Sequence, residues 1–542
     1  GVGGDLLAQE TLQFSKSKLA EVENFSESLA NALLDLSIAV RDRDLEAISS
    51  YFADEVMALT FPLSSFRASE SVKWIEKSSV DLSTSPPVST SREKLMEEWS
   101  VFLGGFSEVE DTRFMVQEAT FSRRGNTNFA NSQFKFFLVG RDETGNRSWV
   151  KGTGHLNSRQ DGEAGWKIAL LVFDQLDTIK AQVDLFSEIS LPAGVSVSLP
   201  TYGSPGSDDF VYHGAAAGDI DGDGFIDVVA TGISNNYIYL NKGDGTFREV
   251  AWDVGLPATP HDGTTPLLID YDNDGDLDIF LSAVGTQMLF RNELAGKNRL
   301  SFIDTSLESG VSVTALGFGA TAGDVNGDGW PDIYVASYNR YGRVMPNSWH
   351  RATNGTANLL FVNQKDGTFK ESAQAWGVRD ERWSYAPQLA DLNNDGKQDL
   401  YIANDFGENA LYMNMGDHFQ DRAKSVGALD PGNGMGVSIG DYNNDGQLDL
   451  YITNMSSTAG NRILDRLFPE SDSDGGMLYK LAAGNSLLQA QSNGSFSDVT
   501  DKVGPFEAGW AWGGVFLDFD NDGWEDLYST NGFISGKSMK DT

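Results

Sequence analysis

A nine-residue pattern, D-x-[DN]-x-D-G-x-x-D, occurs six times between Asp219 and Asp526, and each copy runs into a short β-type segment. Side-chain oxygens stand at positions 1, 3, 5 and 9. The first two copies supply Asp219, Asp221, Asp223 and Asp227, then Asp270, Asp272, Asp274 and Asp278. The third and fourth supply Asp324, Asn326, Asp328 and Asp332, then Asp391, Asn393, Asp395 and Asp399. The last two supply Asp441, Asn443, Asp445 and Asp449, then Asp518, Asp520, Asp522 and Asp526. Position 7 adds a backbone carbonyl, from Phe225, Asp276, Trp330, Lys397, Gln447 or Trp524. Carboxylates this crowded repel one another unless a hard cation sits among them, and calcium takes six to eight oxygens in a flexible shell. The pattern therefore implies up to six structural calcium ions. Position 6 is glycine in every copy, as a sharp reversal at positive φ requires.

The loop begins like an EF-hand but lacks its bidentate glutamate at position 12, which here is Ala230, Leu281, Val335, Ile402, Ile452 or Ser529. The segment after each loop is β-branched and aromatic, as in Ile333-Tyr-Val-Ala336, which reads as strand. The sequence thus predicts calcium loops inside β-hairpins.

First-Asp spacings of 51, 54, 67, 50 and 77 residues mark a repeat array with insertions. Each unit opens with a small-residue strand such as Gly214-Ala-Ala-Ala-Gly218. The calcium loop, a second strand and a third come next. An N-x-x-D-G-T-F turn, as in Asn241–Phe247 and Asn363–Phe369, then leads to a short fourth strand. Four strands per unit describe a propeller blade. The last unit lacks its turn, whereas a stretch resembling a fourth strand precedes the first, at 185–191. The expectation is a ring over 181–542, closed by that stretch, with six blades favoured and seven open if the insertion at 455–490 hides another.

This motif set resembles the FG-GAP or VCBS repeats of integrin alpha propellers, and those of cartilage acidic protein and its bacterial relatives. The resemblance covers about 185–535 and implies calcium ligands at the loop positions named above, together with an adhesive or binding role.

The first 180 residues carry no such loop. Beyond an extension at 1–24, Leu29, Leu33, Leu36 and Val40 make one helical apolar face. Thr90 and Glu93 suggest a capping box before a helix holding Leu95, Trp99 and Phe102. β-runs are expected at 113–122, 131–139, 148–158 and 165–173. Helices leading into an antiparallel sheet over 25–180 resemble the nuclear transport factor 2-like (SnoaL-like) α+β cone. That resemblance implies either a pocket, with Trp149, His155 and Asp174 as candidate lining, or pairing through the sheet. The fold class is therefore mainly β, a propeller preceded by a smaller α+β domain.

The chain has 40 Lys plus Arg against 78 Asp plus Glu, a net charge of −38 over 542 residues. That balance disfavours nucleic acid, whose phosphates attract Lys and Arg. Cysteine is absent, so no disulfide or thiolate chemistry is available. No apolar run is long enough to span a membrane. A start at Gly1 instead of Met is what a removed leader would leave, and repeated calcium loops suit calcium-rich surroundings. An exported location is the expectation: extracellular, cell-surface or periplasmic.

No catalytic signature is present, so the reading leans away from an enzyme. His213, Trp383, Tyr385, Trp510 and Trp512 stand near the starts of inner strands, where a propeller gathers its ligand-facing loops. The leading expectation is a binding or self-assembly module with a protein partner. A carbohydrate-binding propeller and a polysaccharide-active enzyme are the alternatives.

Overall fold

The computed structural model describes residues 19–531 apart from 62–66, 73, 163, 185, 197–213, 233–234, 257–258, 260, 298, 341–342, 457–479, 482 and 505–509. The described residues up to Glu188 form one compact unit, and those from Ile189 onward form another.

In the first unit, α1 (Leu19–Arg41) buries Leu29, Leu33, Leu36 and Val40, as their spacing predicts. It starts within the stretch expected to be an extension. The second helix, α2 (Leu45–Ser50), is capped by the Asp44 side chain, which accepts from Ala47 N. For α3 (Arg92–Leu103) the cap is Ser91, which accepts from Lys94 N, one residue later than the expected Thr90. Thr90 is paired in β4 (Val88–Ser91), opposite Val56 of β1 (Phe52–Leu59), one residue ahead of the cap.

Four long strands carry the sheet: β5 (Glu108–Arg124), β6 (Thr127–Arg141), β7 (Arg147–Asp161) and β8 (Lys167–Ala181). They are longer than the runs visible in sequence. Two further strands, β2 (Arg67–Val72) and β3 (Ile75–Asp81), give the order β2-β3-β8-β7-β6-β5. Strand β1 runs parallel to β8. The face turned to the helices is filled by Trp99, Phe102, Phe114, Phe134, Phe136 and Phe173. Each fully buried ring of this size contributes roughly 1.5–3 kcal/mol.

Trp149 and His155 lie on the opposite face. The side chains of His155 and its partner Asp174, 3.3 Å apart, are 48% and 41% exposed. The expected pocket lining is therefore an open sheet surface, because side chains alternate along β7 and the inward places belong to Val150, Gly152, Gly154 and Leu156.

The second unit is a β-propeller. Blade 1 comprises β9 (Ala215–Gly218), β10 (Asp227–Thr231), β11 (Asn236–Asn241) and β12 (Phe247–Glu249). Blade 2 comprises β13 (Asp262–Ile269), β14 (Asp278–Thr286), β15 (Met288–Asn292) and β16 (Phe302–Asp304). Blade 3 comprises β17 (Thr314–Gly323), β18 (Asp332–Ser337), β19 (Leu359–Asn363) and β20 (Phe369–Glu371). Blade 4 comprises β21 (Trp383–Ala390), β22 (Asp399–Asp405), β23 (Ala410–Asn414) and β24 (Phe419–Asp421). Blade 5 comprises β25 (Gly434–Gly440), β26 (Asp449–Asn454), β27 (Ser486–Ala490) and β28 (Phe496–Asp498). Of blade 6 the described residues supply β29 (Ala511–Leu517) and β30 (Asp526–Asn531). Consecutive first strands are spatial neighbours from β9 to β29. Most of the 455–490 insertion lies outside the described residues.

The strand expected at 185–191 is not a strand. Among its described residues 186–189 are irregular, and Ser190–Ala193 is one helical turn ending at Gly194 with φ 80°. That turn matches the ends of other blades: Ala373–Trp376 before Gly377, Ala423–Val426 before Gly427, and Thr500–Val503 before Gly504. A Cβ on Gly377 would meet Phe419 O of the next blade at 3.2 Å, and on Gly427 Phe496 O at 2.5 Å. On Gly194 it would meet Phe247 O, the start of the last strand of blade 1, at 3.1 Å. The segment thus abuts blade 1 as a preceding blade's end does.

Candidate metal centres and ligand face

Each nine-residue pattern joins the first strand of a blade to its second, so all six loops sit at the downstream ends of the inner strands. Their geometry repeats. The position 1 carboxylate accepts the position 5 N–H at 2.9–3.1 Å on one oxygen and the position 6 N–H at 2.7–3.0 Å on the other. The position 5 carboxylate accepts the position 7 N–H at 2.9–3.1 Å. These bonds curl the loop so that its remaining lone pairs converge.

The curl needs left-handed backbone at two places. Position 6 glycines have φ from 81° to 95°, as expected. Position 4 also has positive φ, and it is always Gly or Asn: Gly222, Asn273, Gly327, Asn394, Asn444 and Asn521. That second signal was in the sequence, since Gly and Asn are the residues that tolerate this region.

Position 9 is buried in the first five loops and half-buried, at Asp526, in the sixth. Asp227, Asp278, Asp332, Asp399 and Asp449 are all 0% exposed, and each accepts a 2.7–2.8 Å hydrogen bond from the N–H ending the third strand of its blade. Burial pushes Asp278 up to about 8 and Asp332 to about 7, with Asp399 and Asp449 at about 6, and the neighbouring carboxylates push the same way. Asp221, Asp272 and Asp276 are raised as well, burial first and like charges next.

In the first, second and sixth loops the acids at positions 1, 3 and 9 bring one oxygen each within 4.8 Å of one another. Asp272 Oδ1 and Asp276 Oδ1 are buried with no hydrogen-bond partner. An all-oxygen set with orphaned anionic lone pairs fits a hard divalent cation. Two of the three loops with Asn at position 3, the third and fourth, differ in a further respect. Lys397 Nζ lies 3.2 Å from Asp395 Oδ2, and Lys365 Nζ 3.4 Å from Asp328 Oδ2, so an ammonium already offsets part of the charge.

At the opposite end of the inner strands stand the candidate ligand residues. His213 lies outside the described residues. Trp383 is fully buried and its indole N–H donates to Asn354 Oδ1, which makes it core. Tyr385, Trp510 and Trp512 are half-buried and adjacent: Tyr385 and Trp512 have ring centroids 6.2 Å apart, and Trp510 and Trp512 stack at 6.2 Å and 6°.

The chain carries FG-GAP-like repeats, matched by the family model for the FG-GAP-like repeat at residues 219–281, 324–402 and 391–452. It is similar to cartilage acidic protein 1 of Mus musculus, 27% identical over 59% of this chain and 48% of that protein. The Homo sapiens protein is 26% identical over 59% of this chain and 47% of its own length. The chain thus spans about half the length of these curated relatives. Among solved structures, an Agrocybe aegerita lectin recognising non-reducing terminal N-acetylglucosamine aligns over 77% of this chain and 99% of its own, at 15% identity and TM-score 0.32. A putative dehydratase of the NTF2-like family from Streptomyces avermitilis aligns over 28% of this chain and 96% of its own, at 15% identity and TM-score 0.18.

Proposed function

We propose that this protein is a calcium-stabilised propeller acting outside the cytoplasm as a binding or self-assembly module. The observation that carries the reading is the second loop, where Asp270, Asp272 and Asp278 converge, one buried Asp272 oxygen has no hydrogen-bond partner, and burial pushes Asp278 up to about 8, a cost that a bound cation would offset. Six such loops at one end of the inner strands turn mutual repulsion into a set of clamps once loaded. On this reading calcium is structural, and the ring closes through 186–194, whose Gly194 abuts Phe247 as other blade ends abut their neighbours. The exported location rests on the millimolar calcium that weak, exposed loops need for filling. Among the described residues no helix is long and apolar enough to cross a membrane.

The test is sedimentation or size-exclusion of the whole chain at micromolar protein, with millimolar calcium and then with chelator. The reading expects a compact chain in calcium and an expanded or less stable one in chelator, with a calcium-dependent increase in assembly size if self-association is the role. A monomer in both conditions assigns the module to a separate partner. A fold indifferent to chelator sinks the calcium reading itself.

A further inference from the structure

Five blades end their fourth strand in an acid: Glu249, Asp304, Glu371, Asp421 and Asp498. One carboxylate oxygen has the same task in each, accepting the N–H two residues on at 2.8–3.1 Å. In blades 4 and 5 the chain supplies a cation for the second oxygen. Asp421 Oδ2 lies 3.2 Å from Arg382 Nη2, and Asp498 Oδ2 lies 3.3 Å from Lys480 Nζ. In blades 2 and 3 the second oxygens of Asp304 and Glu371 have no hydrogen-bond or ion-pair partner among the described residues. Each of these two acids instead borders a cleft, of about 380 Å³ in blade 2 and about 310 Å³ in blade 3. Both clefts lie at the blade end away from the calcium loop, beside the starts of the first and third strands.

The register shows why these clefts are open. Arg382 stands three residues before Tyr385, which the pairing of β21 with β22 skips as a β-bulge. At the same distance before the bulge stands Ala315 in blade 3, ahead of Phe318, and His261 in blade 2, ahead of Thr264. Ala315 lines the blade 3 cleft and carries no group that could pair with Glu371. His261 lines the blade 2 cleft and makes no ion pair with Asp304 among the described residues. The position that reaches the acid with an arginine in blade 4 thus leaves it uncovered in blades 2 and 3. The rest of the lining is largely apolar, with Leu316, Ala357 and Leu359 in blade 3 and Met288 and Phe290 in blade 2. Arg379 also lines the blade 3 cleft, but its charge is offset by its own partner, Glu381.

We propose that these two clefts each take an arginine or lysine side chain of a partner protein, as the acids of blades 4 and 5 take Arg382 and Lys480. The proposal rests on the reading of the second unit as a binding module and gives its partner a chemistry. An apolar lining that ends in one carboxylate suits a side chain whose methylene stem packs and whose charged head pairs. The net charge of −38 draws a basic partner toward the chain. Because the clefts stand in adjacent blades, two basic residues of one partner can engage together, which raises affinity beyond that of either.

Calorimetric titration of the full chain in millimolar calcium and physiological salt tests this, with a short peptide carrying one arginine and the same peptide carrying citrulline, its neutral isostere. The melting temperature of each sample, read beforehand with and without chelator, shows separately whether the calcium-stabilised fold is present. The expected result is saturable binding of the arginine peptide, about tenfold weaker for citrulline and about tenfold weaker for the double variant Asp304→Asn/Glu371→Gln. A second double variant, Asp244→Asn/Asp366→Asn, removes the same charge from two exposed turns and should bind as the parent does. Equal affinity for the citrulline peptide, equal weakening by the two double variants, or no binding by a folded parent chain each overturn the proposal. A folded chain whose melt ignores chelator but which binds through the two acids would sink the calcium reading and leave the clefts in place.

Discussion

Asp405 ends β22 with 5% exposure, and its Oδ2 accepts the hydroxyl of Tyr338 from the neighbouring blade. Burial pushes its carboxyl up to about 7, against the opposing pull of the Tyr338 and Phe406 donors. An unfolded aspartate titrates near 3.9, so between about pH 4 and 7 the folded chain holds a proton that the unfolded chain has released. The native state then binds more protons, and stability must fall as pH rises through that window. Asp405→Asn keeps an acceptor for Tyr338 and removes the charge. In saturating calcium the variant should gain on the parent from pH 5 to pH 8, by on the order of 2–4 kcal/mol at the upper pH. Parallel denaturation curves across that range would show that Asp405 is ionised at little cost. A residue such as this was invisible in the sequence, where Asp405 is one acid among 78 Asp plus Glu; only its neighbours set it apart.

Between residue and ring lies the element that joins blades, and it is an asparagine. Asn292, Asn363 and Asn414 each end a third strand and donate through Nδ2 twice. One bond goes to the carbonyl at position 8 of their own loop. The other goes to position 2 of the preceding blade's loop, at 3.1, 2.8 and 2.8 Å. In blade 5 the equivalent residue is Ala490, whose N–H still reaches Asp449 but which has no amide to reach back. Asn363→Ala should cost about 1–3 kcal/mol, since it leaves buried carbonyls unpaired. Ala490→Asn should raise the melting temperature by supplying the missing staple, and a drop would mean that the site has no room for the amide.

These elements also mark how far the sequence could be read. The loops were legible because side-chain oxygens and left-handed Gly or Asn positions recur at fixed spacing, and the turn ending in Phe was legible because it repeats. The Asn staple was on view in the N-x-x-D-G-T-F turn, yet its partner is 92 residues away for Asn363, beyond any local pattern. The β-bulges that skip Thr264, Phe318, Tyr385, Met435 and Trp512 in the first strands of blades 2 to 6 were hidden for the same reason: a skipped residue is defined by the partner strand. The α3 cap fell one residue from expectation because Thr90 and Ser91 are both good caps locally, and the strand runs on through Ser91 before the helix starts at Arg92.

At the scale of the whole molecule, the chain divides its means of stability between two units. The first has one continuous apolar core and, among its described residues, no group of acids that could hold a metal. The second spreads its apolar contacts over smaller clusters between successive blades and places its acids in loops. On the proposed reading calcium binds only the folded loops, so loading them should stabilise the second unit by mass action. Differential scanning calorimetry of the full chain should therefore show two transitions, of which chelator lowers one. Asp272→Ala should lower that same transition in calcium and leave it nearly unmoved in chelator; equal losses in both conditions would take the metal out of the account.

The loops should not fill alike. In the first, second and sixth, carboxylates occupy positions 1, 3, 5 and 9, whereas the third to fifth have Asn at position 3, and Lys365 and Lys397 already sit on the third and fourth. Ligand charge sets calcium affinity, so titration followed by calorimetry should resolve a tighter class of three sites and a weaker class of three. Neighbouring loops touch through position 4, with Asn273 donating to Gly329 O at 3.4 Å and Asn444 to Gly523 O at 3.0 Å. Filling one loop of such a pair orders the acceptor of the next, so weak sites beside strong ones should load at lower calcium than isolated copies of the same loop. Lys397→Met tests the charge argument directly: it removes the competing ammonium 3.2 Å from Asp395 and should tighten one of the weaker sites. An unchanged titration would mean that the lysine yields to calcium at no cost, and that the number of carboxylates alone ranks the six.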